Sequence, residues 1–272
     1  DKDGKEVAAE TKFTPDHAHG TARVTFEFDG SELPHGSEIV AFESLERAGV
    51  EIAVHADVND EGQTVTVLNP KLATSASDVA DGDKAVVADA EAELVDTVSH
   101  ENLSAGSKYT LIGVVMDRGT GLPLDTAKAS DAETAKVKAF WDEFLAGLGT
   151  DAATLEEHAK ACREAAEGEE PALKVGTADW EALQEALSKN MGTASGLVIS
   201  QQSYTPERAD GATEMTFKFD ASKWVKAEEP VNCVVYEFLV HDGKLVAVHA
   251  DGEDASQQCD VVSLEVRTPA VD

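Results

Sequence analysis

The stretch His55-Ala56-Asp57-Val58-Asn59-Asp60-Glu61-Gly62-Gln63 returns near the far end of the chain as His249-Ala250-Asp251-Gly252-Glu253-Asp254-Ala255-Ser256-Gln257. Both copies read H-x-D-x-x-D-x-x-Q, and each follows a short apolar run, Ile52-Ala53-Val54 in one and Leu245-Val246-Ala247-Val248 in the other. A short apolar run bounded by turn-forming residues predicts a strand, so the His sits at a strand end and the acids in the loop after it. A repeat governs the reading of everything between its copies.

Working outward, the register extends well beyond the loop. Val40-Ala41-Phe42-Glu43 aligns with Val234-Val235-Tyr236-Glu237 at the same offset of 194 that carries His55 onto His249. Phe26-Glu27-Phe28-Asp29 and Phe13-Thr14-Pro15 align with Phe217-Lys218-Phe219-Asp220 and Tyr204-Thr205-Pro206 at an offset of 191. Residues 1-68 therefore correspond to the back half of a domain spanning 71-267, and the chain reads as half of one domain followed by a complete second one. Alternating Val24-Phe28, Ile39-Glu43, Glu51-His55 and Gln63-Val67 predict strands, with Asn69-Pro70 as a linker. Ala92-Val98 and Tyr109-Val115 continue the β texture, with a hairpin closed at Asp117-Gly121. Strands and turns at this spacing predict a mainly β fold of antiparallel sandwiches. Between residues 128 and 193 the period changes to helical. Capping boxes at Ser130-Glu133 and Thr154-Glu157 start two stripes, and Trp180, Leu183, Leu187 and Met191 form a third, predicting a three-helix insertion that packs on itself around Trp141 and Trp180.

The 272 residues carry 53 acidic against 22 basic side chains, a formal net charge of -31. Such a surface excludes nucleic acid and anionic membrane as partners, because both require basic patches. No apolar run is long enough for a membrane span, and the first residues lack the features of a signal peptide. The three cysteines, Cys162, Cys233 and Cys259, lack metal-ligand spacing. Cys233 and Cys259 lie in adjacent predicted strands, an even number of residues from Glu237 and Gln257, and are a candidate disulfide pair on one inward face.

The constellation suits one acyl transfer. A Thr hydroxyl is a poor nucleophile at neutral pH and needs a base, which in turn needs a carboxylate to hold its tautomer. Thr74, His249 and Glu237 fill those roles on paper, with the carboxamide of Gln257 as electrophile and ammonia as leaving group. Charge developing on the amide oxygen calls for a donor, and a carboxyl buried enough to stay protonated supplies one; Asp96, Asp251 and Asp254 are the candidates.

On these residues the chain resembles the Thr-Gln ester-bond domains, or VaFE repeats, of Gram-positive surface adhesins. The matching motifs are Val40-Ala41-Phe42-Glu43 and Val234-Val235-Tyr236-Glu237, Thr74-Asp78 with Asp81-Gly82-Asp83-Lys84, Val95-Asp96-Thr97-Val98 with Asn102-Leu103 and Gly106, Tyr109-Gly113 leading to Met116-Asp117, and His55 to Val65. The resemblance implies Ig-like β-sandwiches whose first and last strands are joined by an autocatalytic ester, in the stalk of an extracellular, cell-wall-anchored adhesin whose signal peptide and anchor lie outside this chain. It implies a Thr74–Gln257 bond promoted by His249, Glu237 and Asp96, with Asp251 and Asp254 alongside, no cofactor, and no turnover of outside substrates. Neighbouring repeats of the same adhesin are the implied partners.

The first repeat carries Gln63, His55, Glu43, Asp57 and Asp60 but no Thr strand, so Gln63 is expected to be unreacted or joined to a complementing N-terminal strand of another chain. Two other readings use the same residues differently. One is a calcium-binding adhesion module with the ion at Asp251 and Asp254; the other is a passive stalk whose helical insertion binds a host-surface ligand.

Overall fold

The computed structural model describes residues 7-28, 30, 33-125, 131-165, 171-190, 196-222 and 229-263. The chain falls into two compact units, Asp1–Leu68 and Asn69–Asp272. Among the described residues the fold is mainly β with three α-helices.

The described residues of the first unit form four short strands, β1 (Glu38–Val40), β2 (Glu43–Arg47), β3 (Val50–His55) and β4 (Thr64–Thr66). β1 pairs with β4, and β2 with β3. The β2–β3 hairpin turns through Ala48 and Gly49, both at positive φ (52° and 78°). Paired left-handed residues match the natural strand twist, the requirement of a two-residue hairpin turn. The expected strand Ile39-Glu43 is thus split between β1 and β2. The expected strand at Val24-Phe28 is absent, since those residues are irregular and largely exposed. Its physical cause lies in the second unit, where the aligned segment pairs with a strand that has no counterpart in residues 1-68.

The second unit begins with β5 (Lys71–Asp78), β6 (Ala85–Val87), β7 (Ala92–Glu101), β8 (Tyr109–Asp117) and β9 (Leu122–Pro123). Helices α1 (Asp131–Gly147), α2 (Ala152–Glu164) and α3 (Trp180–Asn190) follow, then β10 (Ile199–Tyr204), β11 (Gly211–Phe219), β12 (Val231–His241), β13 (Lys244–His249) and β14 (Gln258–Val262). One sheet runs β10-β8-β12-β14-β6, with β13 added to β12 and β9 to β8; the other runs β11-β7-β5. β11, which contains the Phe217-Phe219 copy of Phe26-Phe28, is held by β7 along its length.

The two sheets enclose one apolar core. Leu72 and Ala76 of β5, Leu94 and Val98 of β7, and Met215 and Phe217 of β11 meet Leu111 and Val115 of β8, Val235 and Leu239 of β12, and Cys259 and Val261 of β14. The alternate residues of the larger sheet, Ile112, Val114, Met116, Val234, Phe238 and Val240, form a second core with the helices. Burial on both faces explains why β8 and β12 read as nearly continuous apolar runs rather than alternating ones. It also corrects the expectation of a self-contained bundle. Phe144 and Trp141 of α1 meet the ring of Phe238 edge-on, at centroid distances of 5.2 and 6.1 Å, so the helices pack on the sheet as well as on one another. The apolar outer face of β8 and β12 extends the helices' own stripes into one shared core. Asp151 rather than Thr154 caps α2, accepting the Thr154 amide at 2.8 Å; Ser130, which opens the first expected capping box, and Met191 lie outside the described residues.

The repeat is visible in three dimensions. β12 and β13 turn through Asp242 and Gly243, again both at positive φ, and the bulge between Leu239 and Val240 falls where β2 has its own between Leu45 and Glu46. Glu237 faces His249 in register as Glu43 faces His55.

Candidate functional site

Thr74 and Gln257 meet inside the sandwich although 183 residues separate them. Thr74 is on β5 of the smaller sheet, whose alternation turns Leu72, Thr74, Ala76 and Asp78 inward. Gln257 ends a single 3-10 turn just before β14 of the larger sheet and is fully buried. Its Nε2 donates to Thr74 Oγ1 at 2.7 Å and to the Val235 carbonyl at 2.7 Å, and lies 3.5 Å from the His249 carbonyl. Because a main-chain carbonyl only accepts, the Val235 contact fixes which end of the carboxamide is nitrogen. Gln257 Oε1 is buried without a partner.

Two carboxyl groups lie beside this pair, both fully buried. Asp96 stands opposite Ala76 on β7, the diagonal neighbour of Thr74, and Glu237 stands on the inner face of β12 opposite Gly113. The absence of a side chain at Gly113 makes room for Glu237, since a Cβ there would come within 2.6 Å of Glu237 Oε1 and collide with Phe217. Burial pushes the Asp96 carboxyl up to about 6, against smaller opposing effects of Glu237, the Ser75 amide, Lys84 and Thr74. Burial pushes Glu237 well above the usual carboxylate range, and the charge of Asp96 adds to it. The Ser75 amide and Thr74 hydroxyl are near Asp96 but make no well-formed hydrogen bond to it. Both oxygens of Asp96, both of Glu237 and Oε1 of Gln257 therefore lack donors. An ionised carboxylate only accepts, so a buried group of acceptors this dense has to hold at least one proton.

His249 closes β13. Its Nε2 lies 3.2 Å from Asp254 Oδ2, and its Nδ1 is buried without a partner. Donation of Nε2–H to Asp254 leaves the lone pair on Nδ1, the tautomer of a base. Burial lowers the imidazole pKa, outweighing the opposite pull of Asp254 and Asp251, so the ring is neutral at neutral pH. The carboxylate on His249 is Asp254, whereas sequence reasoning had assigned the tautomer-holding role to Glu237. Glu237 is the register partner of His249, but its carboxyl lies beside that of Asp96.

Asp251 pairs with Arg163 of α2, whose Nε also lies 3.6 Å from Glu253. Neither Asp251 nor Asp254 converges with further acids; among the described residues the only group spaced for a cation is Asp78, Asp81 and Asp83, a tight turn of acids.

Residues with no role assigned from sequence complete the surroundings. Ser256 Oγ bridges the Thr74 carbonyl (2.9 Å) and Asp254 Oδ1 (2.7 Å). Lys84 Nζ donates to the carbonyls of Ala76 and, at 2.7 Å, Ser256. Together they tie the Thr strand to the Gln turn beside the Thr74–Gln257 contact. Ser256 was legible in principle, because the first repeat has Gly62 at the aligned position; Arg163 carried no signal, since an Arg on a polar helix face is usually solvated.

The first unit repeats the loop without its surroundings. Asn59 N and Gly62 N donate to Asp57 and Asp60, as Glu253 N and Ser256 N donate to Asp251 and Asp254. His55 lies 3.0 Å from Asp60, with 59% of its side chain exposed against 20% for His249. Gln63 Nε2 donates instead to Glu43.

A family model described as T-Q ester bond containing domain matches residues 1-67, 70-168 and 172-261. Two crystal forms of an adhesin from Mobiluncus mulieris, described as containing intramolecular disulfide, isopeptide and ester bond cross-links, resemble the chain at 14% and 15% identity, with TM-scores of 0.39 and 0.40. Each match covers 72% of this chain and 58% of the adhesin. A glycosyl hydrolase family 2 member from Bacteroides cellulosilyticus resembles it more weakly, at 8% identity and a TM-score of 0.32 over 72% of this chain and 16% of the hydrolase. No curated protein matches.

Proposed function

The chain belongs to the family of T-Q ester bond containing domains, and on that footing we propose that its second unit cross-links itself once, through an ester between Thr74 and Gln257. The observation that carries this reading is the 2.7 Å contact between the carboxamide nitrogen and the Thr hydroxyl in a closed site. Thr74 Oγ attacks Cδ of Gln257 as His249 accepts the hydroxyl proton, and Oε1 takes up the negative charge. The shared proton of the Asp96–Glu237 pair stabilises that oxygen, the part played by donors in an oxyanion hole. The C–N bond then breaks, the proton passes to the departing nitrogen, and ammonia leaves. One Oγ–Cδ bond has replaced one C–N bond, and no further cycle is available to the same residues.

The bond spans the two sheets and joins the first strand of the second unit to the turn leading into its last. We assign the chain to the load-bearing stalk of an extracellular, wall-anchored adhesin, with neighbouring repeats as partners. Gln63, His55 and Glu43 supply the Gln half of a second site, completed by a Thr-bearing strand equivalent to β5.

Intact mass of the reduced chain tests the reaction. The chain should be lighter than its sequence by one ammonia, and Thr74→Ala should carry the full sequence mass. A wild-type chain of full mass after prolonged incubation at neutral pH would refute self-cross-linking.

A further inference from the structure

We propose that Cys233 and Cys259 close a disulfide that fastens β14, the strand following Gln257, to β12. The two residues are direct partners in the antiparallel register of these strands. Residues so opposed have Cα atoms about 4.5–5.5 Å apart, within the roughly 4.4–6.8 Å that a disulfide spans. Both face the core between the sheets, exposed by only 1% and 2%. The structure holds them as thiols, and the one hydrogen bond of Cys233 is a long contact to the Val231 carbonyl at 3.6 Å.

The internal repeat supplies an independent observation. Ile39 and Val65 occupy the aligned positions of the first unit, and they too are direct register partners, β1 to β4. The repeats therefore differ at both members of one cross-strand pair, Ile–Val in one and Cys–Cys in the other. A Cys acting only as a small apolar filler has no reason to be matched across the ladder, whereas a disulfide requires both partners.

Burial sets when the bond forms. It pushes the Cys259 thiol up to about 11 and Cys233 higher still, and the thiolate is the species that exchanges. Oxidation therefore precedes the docking of β14 on β12. A thiolate of one Cys attacks the disulfide of an oxidised small thiol or an oxidoreductase and releases one thiol. The second Cys attacks the mixed disulfide and releases the other. The chain loses two hydrogens, and the oxidant gains two electrons and two protons. The bond lies one register step from the Gln257 turn, so it holds the strand that presents the carboxamide, yet its formation does not depend on the ester.

The test uses the full chain, unfolded with reductant and refolded in a mixture of reduced and oxidised glutathione. It is then denatured in acid, alkylated with iodoacetamide and weighed. One adduct, on the exposed Cys162, is expected before reduction and three after it, with a tryptic digest joining residues 227-244 to 245-267. Three adducts before reduction, or glutathione carried on Cys233 or Cys259, would overturn the proposal. As a second measurement, reductant present during refolding should lower the melting temperature of the wild type and leave the double variant Cys233→Ile, Cys259→Val unchanged. An equal response of both proteins would also overturn it.

Discussion

At the residue scale the proposed reaction uses one neutral base and one shared proton, and its expected pH dependence follows from that pairing. Reaction needs His249 unprotonated, and its pKa is lowered by burial. It also needs a proton on the Asp96–Glu237 pair, whose members are both raised by burial, Asp96 to about 6. The rate of ammonia release should therefore trace a bell, rising on the acid side with His249 and falling at or above about pH 6 as the last carboxyl proton leaves; a flat profile would remove the proton-sharing role. Removing one oxyanion donor in an enzyme costs roughly 10²–10³-fold, and Glu237→Gln and Asp96→Asn should each slow ester formation on that scale, as followed by mass against time. His249→Ala removes a general base, an effect of about 10²–10⁴-fold. Asp254→Asn should slow the reaction less and shift its acid limb, because it frees the imidazole without removing it.

At the level of elements, the larger sheet explains both what the sequence revealed and what it concealed. The strands of both repeats and the loop between His and Gln were readable because alternation and the recurring acids each impose a local geometry, whereas the turns at Ala48-Gly49 and Asp242-Gly243 and the bulge shared by β2 and β12 were not foreseen. Thr74, Asp96, Glu237, His249 and Gln257 were nameable for the same reason: each sits at a fixed place in a repeated or family motif. Val24-Phe28 misled because alternation reports a strand's capacity to pair and says nothing of whether a partner is present. The docking of the helices was concealed because β8 and β12 read the same whether their outer face meets helices or a third layer. Asp254 rather than Glu237 lies on His249 because a loop carboxylate reaches round a strand end, a relation that register does not encode. Gly113 gives this scale its test. A methyl there meets Glu237, Met215 and Phe217 at once, and overpacking of this kind costs about 1–3 kcal/mol. Gly113→Ala should lower denaturant stability by that amount and slow ester formation in the same preparation, whereas Gly106→Ala, in open space at positive φ, should affect stability alone.

For the molecule as a whole, the proposed ester would change the unfolded state and the path of force. Closing a loop of 183 residues restricts the unfolded chain by about 5 kcal/mol on the chain-entropy estimate, so Thr74→Ala should melt well below the wild type. That unlinked variant should also weaken with rising pH. Stability contributed by the raised Asp96 is complete below its ordinary value of 3.8 and is lost as the pH climbs through about 6, with Glu237 extending the loss further. Thermal melts between pH 4 and 8 would show this, and a stability that rises across the range would contradict it. Under load, a chain bonded from β5 to the turn before β14 should resist extension across the second unit, and Thr74→Ala should release it. The most direct test of the central claim is the tryptic digest of the reduced and alkylated wild type. The ester predicts that residues 72-84 and 245-267 run as one linked peptide, lighter than the two together by a single ammonia; two separate peptides of full mass, with Gln257 still an amide, would contradict it.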